Sequence, residues 1–294
     1  MYLISPKQLF LLILLIPLLN SFQVPQNSQN GGPITDDFCG KFPEASETKY
    51  VDEPIRVKGE VDMHYQRLIA TKKLRDDCSI DGSVKGKHII DIEDGGTLKN
   101  VILADPAKGW EKVCYHAAGF SGDDSSPTVH EVTNSTALHA PDKFFTQSSK
   151  GKTIIRNFCG HEFGKVYCSC GSGCQPQYQR RVEIYDSRFK GPGLTLISLN
   201  HNYKDSMSMS NVYVDPNPPI KYICQEYTGT TQTTGDMTPT ASFTANEDGK
   251  GQSCNYSTKE YSLAAETNTK ENNSDKQNQK EGTQKENQKN DKND

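Results

Sequence analysis

The sequence predicts an all-β protein, a right-handed parallel β-helix (a solenoid of short stacked strands) with a disordered polar C-terminal tail. Three observations point there. The body of the chain holds no 3.6-residue apolar stripe of helical length. Short β-rich runs bounded by Gly, Asn, Asp or Pro recur in its place. An apolar–polar–Asn/Asp–apolar core repeats through these runs, with the Asn or Asp at positions 100, 134, 157, 186 and 211. Steps of 34, 23, 29 and 25 residues suit one rung per coil. An antiparallel sandwich also uses short strands, but its turns recur every ~8–12 residues, a shorter period than this one.

Taken in order, the chain opens with Lys7 and an apolar run over residues 9–19, broken only by Pro17. That length suits the apolar core of a secretory leader, whereas a membrane span needs ~20 residues. Residues 1–22 are therefore expected to form a signal peptide, and the absence of a later apolar stretch implies release without a membrane anchor. The body, 38–227, carries the runs Thr97-Leu98-Lys99-Asn100-Val101-Ile102, Thr153-Ile154-Ile155-Arg156-Asn157-Phe158, Val182-Glu183-Ile184-Tyr185-Asp186, Leu194-Thr195-Leu196-Ile197-Ser198-Leu199 and Met209-Ser210-Asn211-Val212-Tyr213-Val214. Each has the length and the turn-forming borders of a strand. Residues 228–244 hold eight threonines among Gly and Pro, so 228–257 reads as a linker or stalk. Residues 258–294 are expected to be a disordered tail. From Glu266 onward they contain no Val, Ile, Leu, Met, Phe, Trp, Tyr or Cys, so nothing offsets the entropy of ordering.

Composition narrows the function classes. A net charge of −4 argues against a bulk nucleic-acid binder, which should be basic. Nine cysteines behind a leader point to an oxidising, extracellular setting and a disulfide framework. Eight cysteines make four pairs, which marks one of the nine as an extra thiol. Cys168, Cys170 and Cys174 lack a second C-x-x-C pair that would favour zinc over disulfides. His64, His88, His130, His139, His161 and His201 show no ligand spacing and receive no role.

Six segments then carry a resemblance. They are Glu93-Asp94-Gly95-Gly96-Thr97-Leu98-Lys99-Asn100-Val101-Ile102, Asp142-Lys143-Phe144-Phe145, Ile155-Arg156-Asn157-Phe158, Phe163-Gly164-Lys165-Val166-Tyr167-Cys168-Ser169-Cys170-Gly171, Asn200-His201-Asn202-Tyr203-Lys204-Asp205 and Ile223-Cys224-Gln225-Glu226-Tyr227. In this order they resemble the D-G-A-T-L-K-N-V-I-I, D-K-V-F-Q, I-x-N-F, F-G-K-L-Y-R-S-C-G, N-x-N-Y-G-D and I-C-Q-E-Y segments of polysaccharide lyase family 3 pectate lyases. The chain resembles a divergent member.

The resemblance implies the same parallel β-helix and calcium-dependent β-elimination of the polygalacturonate in plant cell walls. That reaction removes the C5 proton beside a uronate carboxylate and expels the oxygen at C4. Calcium and basic side chains would neutralise the carboxylate and stabilise the enolate-like transition state. By resemblance, Lys143 and Lys165 are the candidate catalytic and substrate-binding residues, acting on the uronate.

The departures from the family pattern concern the same chemistry. Its W-E-D-V-C-E-D-A stands here as Trp110-Glu111-Lys112-Val113-Cys114-Tyr115-His116-Ala117, so Tyr115 and His116 replace a calcium-binding Glu-Asp pair. A D-G-I-H-C segment before the Trp is missing, and the family's catalytic arginine position is Cys168. Calcium is the cofactor by resemblance, but its ligands are not retained, and no other metal or cofactor is expected. The partner is polygalacturonate or pectin, bound by an extracellular monomer with no nucleic acid and no membrane anchor. The resemblance thus implies a pectin-directed protein whose lyase activity is reduced or lost; the alternative is a catalytically inactive pectin-binding or effector protein on the same scaffold.

Overall fold

A chain that turns corners without interrupting its hydrogen-bond ladder needs residues that tolerate a positive φ, and after glycine Asn and Asp tolerate it best. The five repeated residues all occupy that conformation: Asn100 at φ 53°, Asn134 at 52°, Asn157 at 46°, Asp186 at 51° and Asn211 at 55°. Their side chains also stack between coils. Asn100 donates Nδ2 to Asp62 at 2.8 Å, Asn157 to Asn134 at 2.9 Å and Asn211 to Asp186 at 2.8 Å.

The computed structural model describes Cys39 and residues 44–77, 88–103, 116–122 and 128–263. The expected leader, Tyr115 and the tail beyond residue 263 lie outside these. The strands are β1 Thr48–Val51, β2 Ile55–Val57, β3 Glu60–Ala70, β4 His88–Ile92, β5 Thr97–Leu103, β6 His116–Phe120, β7 Thr128–Gln147, β8 Gly151–Ser169, β9 Arg180–Asn200, β10 Ser206–Asp215, β11 Ile220–Tyr227, β12 Ala241–Phe243, β13 Gly249–Lys250, β14 Asn255–Tyr256 and β15 Tyr261–Leu263. One short helix, α1 Lys72–Asp77, buries Leu74 in the core. Among the described residues no helix is long and apolar enough to cross a membrane.

Pairing is parallel along the path β1-β3-β5-β7-β8-β9-β10-β15, with a second parallel path β2-β4-β6-β7. This is the β-helix. Where the sequence shows runs of four to eight residues, β7, β8 and β9 are 20, 19 and 21 residues long. A single left-handed residue bends the strand while its ladder carries on, so one strand spans several faces of a coil. Coil stacking places like on like: Val61, Leu98, Val132, Ile155, Ile184 and Met209 fall in one register row. From Leu98 to Met209 the row is buried, and burying each such side chain is worth ~1.5–3 kcal/mol. A second cluster, Phe120, Phe144, Phe145, Phe158, Phe163 and Phe189, fills the coil interior with ring centroids 5.1–6.2 Å apart. Phe144 and Phe145 follow Lys143 directly, so core packing fixes the strand that presents it.

The expected linker at 228–257 is corrected. β12 pairs antiparallel with β11, β13 and β14 form a hairpin, and Cys254 is buried in a disulfide with Cys224. Buried Glu226 accepts hydrogen bonds from the backbone N–H groups of Ser253 at 2.6 Å and Cys254 at 2.8 Å. The tail boundary at 258 also moves, because β15 adds a parallel strand to β10 and buries Tyr261. Threonine-rich composition did not prevent docking, because backbone pairing, one disulfide and the buried rings of Tyr256 and Tyr261 hold the segment. Removing that disulfide as Cys224→Ser with Cys254→Ser is expected to cost ~3–4 kcal/mol, since it closes a loop of 30 residues. Urea unfolding of the variant beside the parent checks this.

Candidate functional site

Parallel in-register pairing turns coil length into a site-building rule. Residues one coil apart come to lie side by side, ~4.8 Å from strand to strand. His88 on β4 pairs with His116 on β6, His116 with Lys143 on β7, and Lys143 with Lys165 on β8. Four residues far apart in sequence thus form one row ~14 Å long across one face. The two lysines singled out in the sequence are immediate neighbours in it.

Each side chain in the row is held by specific partners. Asp142 Oδ2 accepts a hydrogen bond from His116 Nε2 at 2.8 Å and an ion-paired one from Lys143 Nζ. Lys143 Nζ also lies 3.2 Å from His116 Nε2, so the three groups form a tight triangle. Its members are only 15–17% exposed. Burial alone would raise the Asp142 pKa, but the hydrogen bond from His116 and the Lys143 charge hold it well below the usual carboxylate range. Burial lowers the His116 pKa, reinforced by the Lys143 charge, and carries it down to about 4 despite its hydrogen bond to Asp142. At neutral pH His116 is therefore uncharged, with its proton on Nε2 facing Asp142.

Lys165 is fixed differently. Its ammonium donates to the Tyr227 hydroxyl at 3.3 Å and sits 4.7 Å from the centre of that ring, a cation–π contact. Burial works against its charge, but Cys168, Tyr227 and Asp142 outweigh it and raise its pKa above the ordinary lysine value. Cys168 is a buried free thiol, and its Sγ donates to the carbonyl of Ser169 at 3.2 Å. Cys39–Cys159, Cys170–Cys174 and Cys224–Cys254 are disulfides, which accounts for Cys170 and Cys174 without zinc.

His88, given no role from the sequence, lies beside His116 in this row. His88 and His116 stack with ring centroids 5.3 Å apart, and His88 Nδ1 meets Asp91 Oδ1 at 3.2 Å. Spacing was the available signal: positions 88, 116, 143 and 165 are separated by 28, 27 and 22 residues, each close to one coil.

This donor set can be tested against calcium, which takes six to eight oxygens from carboxylates, carbonyls and water. The Asp142 carboxylate already binds an imidazole and an ammonium, and Asp91 faces His88. An ammonium and two imidazoles are poor company for a hard dication. The described residues of this face do not fit calcium.

The fold and its face are those of a parallel β-helix that carries two histidines and two lysines in one row beside Asp91 and Asp142. A family model described as pectate lyase matches residues 39–234, and the chain belongs to the pectate lyase family. That family is generally calcium-dependent. Similar proteins include the probable pectate lyase E of Aspergillus fumigatus, 35% identical over 153 residues that cover 47% of this chain and 57% of that one. The probable pectate lyase D of Emericella nidulans is 28% identical over 222 residues, covering 69% of this chain and 80% of that one. The chain spans little more than half the length of the pectate lyase E relatives it matches. Among solved structures, a pectate lyase from Pectobacterium carotovorum has TM-score 0.54 at 20% identity, covering 73% of this chain and 68% of that one. A pectate lyase of Erwinia chrysanthemi in complex with tetragalacturonic acid has TM-score 0.50 at 20% identity, covering 74% and 69%. At such identity these likenesses speak for the fold.

Proposed function

We propose that this chain is an exported pectate-lyase-family protein that holds polygalacturonate or pectin of plant cell walls outside the cell, with calcium-dependent β-elimination lost or strongly reduced. The observation that carries the reading is the adjacent pairing of Lys143 and Lys165 on one face, beside a carboxylate already engaged by His116 and Lys143. Two ammonium groups on neighbouring rungs match a polymer that repeats one carboxylate per sugar. Binding through these ammonium groups is expected to be salt-sensitive, as contacts between partly exposed charges are. Elimination asks for more. It needs a base for the C5 proton and a concentrated positive charge on the uronate carboxylate. The position that would carry the arginine holds Cys168, which is short, uncharged as a thiol and buried. Residues 1–22 supply the leader that exports the chain.

Retention on immobilised polygalacturonate tests this reading. Lys143→Gln and Lys165→Gln are each expected to weaken retention by about tenfold or more, the loss of one charged hydrogen bond of ~1.5–3 kcal/mol. Added salt should weaken the parent in the same direction. Retention that ignores both substitutions and salt would rule the reading out.

A further inference from the structure

The two histidines of the row face each other in an arrangement that the galacturonan reading does not use. His88 Nε2 lies 3.4 Å from His116 Nδ1. The far nitrogen of each ring meets a carboxylate: His88 Nδ1 meets Asp91 at 3.2 Å, and His116 Nε2 meets Asp142 at 2.8 Å. A carboxylate oxygen that close to a ring nitrogen requires the proton to sit between them. Lys143 Nζ, 3.2 Å from His116 Nε2, donates to the same Asp142 carboxylate. With one nitrogen of each ring turned to a carboxylate, the other nitrogen of each is turned toward the opposite ring. Two lone pairs approaching each other repel unless something positive lies between them.

We propose that His88 Nε2 and His116 Nδ1 bind one borderline divalent transition-metal ion of the zinc class, with water completing its coordination. Three features support this. A tetrahedral ion with Zn–N bonds of ~2.0–2.1 Å holds its nitrogen ligands about 3.3–3.4 Å apart, the separation of these two atoms. Each imidazole carries a carboxylate on its other nitrogen, the outer-shell arrangement that fixes the tautomer and raises the basicity of a metal-binding histidine. The backbone also makes room for it: a Cβ on Gly119 would meet the His88 ring at 2.6–2.9 Å, so only glycine lets that ring lie where it does. Imidazole nitrogen favours zinc, copper, nickel and cobalt over calcium, so the same face rejects one metal class and suits another. The other grouping of metal-type side chains among the described residues, Cys39, Cys159 and His161, has both sulfurs closed in a disulfide.

The experiment titrates the full chain, with disulfides intact and adventitious metal stripped, with Co²⁺ and then Zn²⁺. Expected are one ion per chain, a visible cobalt spectrum abolished by His88→Ala and by His116→Ala, and no displacement by calcium. Asp91→Asn should weaken binding ~10–100-fold, the usual effect of removing an outer-shell carboxylate. Cys168→Ser should leave it unchanged. Copper EPR on the unaltered chain gives a readout independent of whether any variant folds, with coupling to two imidazole nitrogens expected. The absence of saturable binding, binding that survives His88→Ala, displacement by calcium, or loss on Cys168→Ser would each overturn the proposal.

Discussion

Polygalacturonate incubated with the protein and calcium is expected to yield unsaturated products at least ~10²–10⁴-fold more slowly than with a family member that keeps its arginine and calcium carboxylates, the typical effect of losing one placed acid–base group. The rise in ultraviolet absorbance measures it. The expectation rests on two independent deficits. On the proposed reading, positive charge at the uronate comes from the two lysines, and Lys143 is already ion-paired with Asp142. On the same reading, the positions that resemble the family's calcium-binding Glu-Asp pair hold a phenol at 115 and an imidazole at 116. Cys168→Arg is not expected to restore turnover. Cys168 pairs in register with Thr146 and Ser198, is only 8% exposed and lies beside the Lys165 ammonium. A guanidinium there would place a second cation next to the first without supplying a ligand for calcium. Rapid calcium-dependent product release by the unaltered protein would contradict both deficits.

Asp142→Ala is expected to destabilise the fold by ~3–5 kcal/mol, the cost of leaving one partner of a buried ion pair uncompensated. The residue left behind is Lys143, 17% exposed, with its ammonium 3.2 Å from the His116 ring nitrogen. The same triangle sets a pH dependence. His116 has a folded pKa of about 4 against an ordinary 6.5, so between those values the unfolded chain binds the extra proton. Its contribution to stability is therefore complete above pH 6.5 and is lost as the pH falls toward 4. The shift corresponds to ~3 kcal/mol at 1.36 kcal/mol per unit. Asp142, held below its ordinary 3.8, adds a further loss at lower pH, as its carboxylate is protonated more readily in the unfolded chain. Urea midpoints measured from pH 7 to pH 4 should fall steadily for the parent and less for His116→Gln. A flat profile in the parent would contradict the assignment of a neutral, buried His116.

What could be read from the sequence followed from residue types that a β-helix restricts locally. A left-handed corner admits few side chains, so Asn100, Asn134, Asn157, Asp186 and Asn211 announced the coil before any contact was known. Lys143 and Lys165 stood out because they lie in motifs whose order resembles the family's, and the register makes them neighbours. The histidine pair did not, because nothing local distinguishes His88, and His116 stood out only as a departure from the family's Glu-Asp pair; a coil of 28 residues brings the two together. The docked segment at 228–263 escaped for the opposite reason. Its composition is that of a stalk, and it is held by backbone pairing to β11 and β10 and by Cys254, signals that threonine content masks. Strand lengths were underestimated because a residue such as Asn157 looks like a terminator in sequence but serves as a bend within β8.

The central claim is that the carboxylate available for a calcium ion on this face has become the anchor of His116 and Lys143. Calorimetric titration of calcium into the unaltered protein, with and without tetragalacturonate, tests it directly. No saturable calcium binding in either condition is the predicted result. Saturable binding that disappears in Asp142→Asn would show that the carboxylate still serves the ion, and would contradict the account.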